Sequence, residues 1–387
     1  MIVITRELDP ELQFPTAHFL PETGRALFFD IETTGLRKET TQLYLIGCAW
    51  MENGRWLIRQ WLTQCAADEY DVLEDFLAFA ADFRTLVHFN GDRFDIPYLN
   101  YKCDYYMTSR DLSGFESIDI YARSRIARNL LGGQSMSQKA VEEFFGIRRE
   151  DQMNGGLLIP VYYDYEKTGE EGKKDLLLLH NYDDLQGMLK ILPILTYSRI
   201  FAGDFSFEGL ARTEDSAVIT FRLQQSVPVP VSAALQLTRG GKLTISKQQD
   251  AEEEGASPAA LVCAQKDILT VSFRLIHAVG YMPLTPVSDY YYLPEEDIVI
   301  HKDLAGYLDR SRKKKATSQN CFVKKEGDFF FQPLSEWLSM FRLEDSKKLL
   351  YSSYDDLAHA AEHDPQNTAC RLRLAALQLL SVLESTH

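Results

Sequence analysis

The chain of 387 residues and 44.3 kDa is long enough for two domains, or for one large domain with an appendage. Its 45 % hydrophobic and 25 % charged residues, with 14 Pro and 22 Gly, are the composition of a globular protein rather than a disordered or collagenous one. Forty-one basic against 56 acidic residues give a formal charge of −15, which argues against a protein that coats nucleic acid by neutralising many phosphates.

The opening MIVITRELDPELQF has a short apolar stretch followed by acids and no basic leader, so no secretory signal is expected. No apolar run approaches the roughly 20 residues that span a bilayer. The six cysteines (Cys48, Cys65, Cys103, Cys263, Cys321, Cys370) are scattered without a C-x-x-C pair, which suggests reduced thiols and a cytoplasmic protein.

From residue 26 to 63, ALFFDIE, QLYLIGCAW and RWLIRQWLT read as three strands, with Asn53-Gly54 as the turn between the last two. Close connections make them an antiparallel meander. In DEYDVLEDFLAFAADF (68–83), Val72, Phe76, Leu77 and Phe79 to Ala80 recur at helical spacing. TLVHFN (85–90) reads as a buried strand, the segment from Phe94 to about Lys102 as a helix, and SIDIYA (117–122) as a further strand. Helical runs follow at 121–131 and 137–146, then a Tyr-rich, Gly-containing loop over 154–173. DLLLLHNYDDLQGMLKIL (175–192) is a strong helix that Pro193 ends. This order describes an α/β fold: a mixed central sheet with helices on its faces.

Past about residue 205 the texture changes. VPVPVSAALQLT and KLTISK read as a hairpin across Gly240-Gly241, LVCAQ and ILTVSFRL as a second turning at Lys266-Asp267, and CFVKKEGDFFFQP as a third turning at Gly327-Asp328. From Pro333 to His387 the pattern is helical, ending in a Leu/Ala-rich helix that starts near Asn367.

The chemistry is concentrated in carboxylates of the first half. In LFFDIETTGL, Asp30 and Glu32 are two apart on an apolar strand and point to one face. Such a pair repels unless a cation sits between them, which suggests a divalent metal; the plainer reading is a strand running out into an acidic turn. In HFNGDRFDIPYL, Asp95 falls in the first turn of a helix entered through Asn90-Gly91, where free N–H groups favour a carboxylate, with Asp92 the competing cap. On the third segment His180 and Asp184 share one helical face, while Asp183 and Tyr182 point elsewhere. An Asp within an LLLL…LQGML helix is costly unless paired or bound to metal, the alternative being a surface pair. Asp119, ending SIDIYA, is a further candidate or simply a helix cap.

Together these segments resemble the DEDD family of 3′→5′ exonucleases: D-x-E-T-T-G on a strand, then Asn, a short spacer, an aromatic and Asp, then Asp on a helix. The separations from Asp30 to Asp95 and from Asp95 to Asp184 suit that fold. LYLIGC after the first motif and SQKAVEEFFGIRRED before the third are similar to the predicted ribonuclease H-like exonuclease subfamily. The resemblance spans roughly 24–196. It implies a ribonuclease H-like exonuclease domain over 1–200; the change of texture past that point sets off a smaller α+β domain over 205–387, rich in β-hairpins with C-terminal helices and without a recognisable enzyme motif.

By that resemblance Asp30, Glu32, Asp95 and Asp184 would ligate two Mg²⁺ or Mn²⁺ ions, a pair that activates water and stabilises the leaving oxygen of a phosphodiester. Thr33, Thr34 and Leu36, with Asn90, would bind the terminal nucleotide of a single-stranded DNA or RNA 3′ end. The family places Tyr four residues, or His five residues, before the last Asp; this chain has His180 at the tyrosine spacing. Imidazole suits the general base. The rival reading is an inactive nuclease-like module that binds nucleic acid or protein. In the second half Arg310, Arg312, Lys313, Lys314 and Lys315, with Lys302, Lys324 and Lys325 nearby, form the dense basic cluster, either a solvated face or a set of phosphate contacts. Tyr290–Tyr292 and Phe329–Phe331 would then be stacking platforms or sheet core.

Overall fold

The alternation in ALFFDIET builds the middle strand of a six-stranded sheet. A computed structural model describes the chain except residues 10–15, 21, 134, 151–152, 154, 239–241, 247–257, 332–337, 345–348 and 385–387. The described residues fall into two units, 1–128 with 134–198, and 129–133 with 199–387.

In the first unit the strands are β1 (Ile2–Glu7), β2 (Ala26–Thr33), β3 (Leu43–Glu52), β4 (Arg55–Leu62), β5 (Thr85–His88) and β6 (Glu116–Asp119), in the spatial order β1-β4-β3-β2-β5-β6. The β1/β4, β4/β3 and β3/β2 pairs are antiparallel, and β2/β5 and β5/β6 are parallel. Asn53 and Gly54, both at positive φ, turn β3 into β4 as their residue types require. The apolar opening, read only as a short stretch, is strand β1 on the sheet edge beside β4.

Odd positions of β2 (Leu27, Phe29, Ile31), with Ile46, Cys48 and Trp61, pack under helices α1 (Glu69–Ala80) and α2 (Asp95–Tyr106) through Val72, Phe76 and Leu99. The opposite face carries Tyr44, Leu45 and Leu62 against Leu158, Tyr162 and Tyr165 of α5 (Gly155–Thr168) and Leu177 and Leu178 of α6 (Glu171–Ile191). Because side chains alternate along a strand, Asp30 and Glu32 stand on this second face, toward α6. Between β6 and α5 lie α3 (Ile120–Ser124) and α4 (Gln138–Phe144), both shorter than their sequence patterns suggest.

The expected loop over 154–173 is a correction: it holds α5, with Pro160 inside it. Gly155, Gly156 and Pro160 are loop punctuation locally, but Leu158, Tyr162 and Tyr165 recur at helical spacing and are buried on the sheet. Burial of that stripe overrides propensity.

The second unit is rich in β-structure. Strands β7 (Phe205–Arg212), β8 (Ser216–Leu237), β9 (Leu243–Ser246) and β10 (Ala260–Arg274) form one sheet, with the expected β8/β9 hairpin. Two other expected hairpins are single strands. LVCAQKDILTVSFR is continuous as β10, and Lys266 at φ 52 marks register shifts against β8, a bulge rather than a turn. FVKKEGDFFF is continuous as β12 (Phe322–Phe331), with Gly327 opposite Ala278 of β11 (Ile276–Pro283). Short strands Arg342–Leu343 and Tyr351–Ser353 interrupt the helical pattern expected from 333 onward. Helices Tyr354–His363 and Pro365–Glu384 follow, and residues 333–337, 345–348 and 385–387 of that expectation lie outside the described residues.

Candidate active site

Three strands and one helix converge on Asp30. Across the sheet Asp30 of β2 is in register with Gly47 of β3, and Gly47 with Gln60 of β4. Asn181 of α6 lies over this row. Gln60 Nε2 donates to Asn181 Oδ1 at 2.9 Å and to the Leu178 carbonyl at 2.8 Å, and Asn181 Nδ2 donates to Asp30 Oδ2 at 2.9 Å. Both amides are buried. Gly47 is the gap that lets them meet: a Cβ there would lie 1.9 Å from Asn181 Oδ1. Gly47→Ala is therefore expected to destabilise the fold by about 1–3 kcal/mol through overpacking, read as a lower urea midpoint at unchanged slope.

Beside this row, His180 Nε2 lies 3.5 Å from Glu32 Oε1 and 3.4 Å from Asp184 Oδ2. The four-residue spacing on α6 places ring and carboxylate on one face. The three side chains offer ligand atoms within 4.8 Å of one another. Tyr44 Oη donates to Glu32 Oε2 at 3.4 Å and its ring is stacked on Tyr162 at 4.4 Å. Asp184 Oδ1 accepts from Arg149 Nη1 at 2.6 Å. Asp95, the first residue of α2, accepts the Ile31 N–H at 3.3 Å and so lies against β2.

The electrostatics of the cluster are those of carboxylates gathered together and buried. Burial, then the charges of Asp184, Glu32 and Asp95, push Asp30 well above the usual carboxylate range, while the Asn181 hydrogen bond pulls it down. Burial also raises Asp95 to about 7, opposed by the N–H groups of Asp95 and Ile31 and reinforced by Asp119 and Asp184. Carboxylates that repel at this density fit a hard divalent cation, and the donor set of oxygens with one imidazole is compatible with Mg²⁺ or Mn²⁺.

The remaining expected residues shape the surroundings. Thr33 Oγ1 donates to the Gly35 carbonyl at 2.8 Å, and Thr34 Oγ1 accepts the Gln42 N–H at 2.9 Å, so both hydroxyls brace the loop after β2. Leu36 in that loop is 84 % exposed. Asn90 has φ 64, and its N–H donates to Asp119 Oδ1 at 2.9 Å. Asp119 also caps α3 by accepting from Ala122 N, the bland role its position allowed. Asp183 is buried and accepts the Glu150 N–H at 2.9 Å, and the Tyr182 hydroxyl accepts from Gln186 at 3.5 Å.

A second group, His88, Asp92 and Asp119, is also close enough to hold an ion. Its ring is already engaged: Nδ1 accepts the Gly91 N–H at 2.9 Å, and Nε2 lies 2.9 Å from Ser117 Oγ, which donates to Asp92 at 2.6 Å. This network braces the turn that delivers Asp95 to the sheet.

Sequence reasoning missed Asn181, Gln60, Gly47, Tyr44 and Arg149. A glycine inside an apolar strand was the one local signal for a close approach.

In the second unit the basic cluster is partly spent internally. Arg312 pairs with Glu296, Lys313 donates to the Ala305 and Leu308 carbonyls, and Lys302, Lys324 and Lys325 pair with Asp289, Asp297 and Asp356. Lys314 and Lys315 lie exposed opposite Tyr292 and Tyr291 on an edge strand, and Arg310 lies in the short turn before them. Phe329 and Phe330 are buried, and Phe329 packs on Phe341, so that triplet is sheet core.

Residues 27–196 match the family described as RNase_H superfamily. The mixed sheet and its flanking helices are ribonuclease H-like, and the match supports nuclease chemistry in general terms. The solved family B DNA polymerase from the hyperthermophilic archaeon Pyrobaculum calidifontis is similar over 93 % of this chain and 46 % of its own, at 12 % identity and a TM-score of 0.38. This chain thus spans about half the length of that polymerase. No curated protein matches significantly. Among the described residues, no helix is long and apolar enough to cross a membrane.

Proposed function

We propose that the first unit is a DEDD-type 3′→5′ exonuclease that hydrolyses phosphodiester bonds at single-stranded DNA or RNA ends. The observation that carries this reading is the convergence of Asp30, Glu32, Asp95 and Asp184 from two strand positions and two helices, so that burial and then the charges of the other three push Asp30 above the usual carboxylate range. Those four carboxylates would hold two Mg²⁺ or Mn²⁺ ions, which supply a nucleophile at neutral pH and neutralise charge on the phosphate.

The chain's own groups do the rest. Asn181 holds Asp30 by Oδ2 and so fixes the orientation of its carboxylate. His180 Nε2, which lies between Glu32 and Asp184, would take the proton of the attacking water, and the two carboxylates would stabilise the resulting imidazolium. The loop braced by Thr33 and Thr34 presents exposed Leu36, an apolar surface for the terminal base. In the second unit Arg310, Lys314 and Lys315 would be a separate set of contacts for nucleic-acid phosphates.

The test is digestion of 5′-labelled single-stranded oligonucleotides, RNA and DNA side by side, in Mn²⁺ and in EDTA. Stepwise shortening from the 3′ end in Mn²⁺ alone, with circular single strands left intact, is the expected result. Binding without shortening would support the module that has lost turnover, and cleavage of the circle an internal-cutting enzyme.

A further inference from the structure

SQKAVEEFFGIRRE (137–150), which precedes the last carboxylate helix in the chain, reverses direction after α4. At the C-terminus of α4, Gly146 takes φ 71, its N–H bonds the Glu143 carbonyl at 2.9 Å and the Ile147 N–H bonds the Glu142 carbonyl at 2.8 Å, a Schellman motif that reverses the chain. The reversal delivers the Glu150 N–H to Asp183 and the Arg149 guanidinium to Asp184.

Arg149 is held from both sides. Its Nε and Nη2 grip Glu142, the latter at 2.7 Å, while Nη1 reaches Asp184 Oδ1 at 2.6 Å. Glu142 is 1 % exposed and sits where α6 carries Gly187: a Cβ there would lie 2.0 Å from Glu142 Oε1. Gln138, one turn earlier on α4, donates to Glu142 Oε1 at 3.0 Å and to the Asp184 carbonyl at 2.8 Å. A planar guanidinium can bridge two carboxylates in fixed geometry, which a lysine ammonium does not do.

We infer that Arg149, anchored by Glu142, is a positioning residue that holds Asp184 by Oδ1 and so orients Oδ2, the oxygen facing His180, to receive a cation. The inference rests on the proposed metal site and adds a residue to it. Arg149 and Glu142 bring equal and opposite charges, so the pair orients Asp184 without changing the net charge of the site. A site left to a free Asp184 would have to order that side chain each time it bound metal.

The double variant Arg149→Met with Glu142→Gln keeps the net charge, and because the nearer of the two charges to Asp184 is the cationic one, the change of field alone would strengthen cation binding, so weakened binding reports positioning. Mn²⁺ titration followed by electron paramagnetic resonance is expected to show binding weakened about 10–100-fold, with kcat on a labelled oligonucleotide falling similarly and KM unchanged. Arg149→Lys, which keeps the charge and the buried Glu142 partner, should fall between parent and double variant, and it decides the matter where the double variant does not fold. Mn²⁺ affinity at the parental value in a folded variant would overturn the inference. A parent that binds Mn²⁺ without shortening the oligonucleotide would instead overturn the exonuclease reading, and the titration would still decide the role of Arg149.

Discussion

Asp30→Asn is expected to lower Mn²⁺-stimulated hydrolysis by about 1,000-fold or more, roughly 4 kcal/mol of transition-state stabilisation, without unfolding the protein. The amide keeps the shape of the carboxylate, and its oxygen can still accept from Asn181 Nδ2. What it removes is the charge on which Asp184, Glu32 and Asp95 converge. In the metal-free protein that change relieves repulsion, so the melting temperature should hold or rise while turnover disappears. Single-turnover kinetics beside a thermal melt separates the two effects. Activity within threefold of the parent would remove Asp30 from the site altogether.

Asp95→Asn should show the electrostatic cost of gathering these carboxylates most directly. With a folded pKa raised to about 7 from the ordinary 3.8, Asp95 binds its proton more tightly in the fold than in the unfolded chain. The sign follows: its contribution is most favourable below about pH 4 and is lost as pH rises toward 7. The full loss has an upper bound of about 4 kcal/mol, several degrees of melting temperature for a domain of this size. The variant keeps an oxygen for the Ile31 N–H but never ionises. Without metal it should therefore match the parent near pH 4 and exceed it increasingly up to pH 8. Saturating Mn²⁺ at pH 8 should stabilise the parent more than the variant, because a ligand stabilises the state that binds it. A difference between the two melts that does not change with pH would mean that Asp95 is not dehydrated as the fold implies.

Some of this site was legible from local pattern. Period two sets Asp30 and Glu32 on one face of a strand, and a four-residue step sets His180 beside Asp184; both are properties of the backbone. α1 was readable from apolar residues at helical spacing, the meander from β-rich runs with the Asn53-Gly54 turn, and α6 from a long apolar run that Pro193 ends. Residues with strong local meaning misled where packing outweighed them. Pro160 and its glycines sit inside α5 because the Leu158, Tyr162 and Tyr165 stripe is buried. Lys266 and Gly327 lie within continuous strands because partners on β8 and β11 extend past them.

The sequence by itself determined which carboxylates the chain offers and, through strand and helix periods, which of them point together. The tertiary fold selected their partners. Asn181 meets Asp30 only because β3 places Gly47 between Asp30 and Gln60, and Arg149 meets Asp184 only because Gly146 turns the chain back and Gly187 leaves room for Glu142. Each contact depends on a missing Cβ and on a register between distant segments, neither of which any local period encodes.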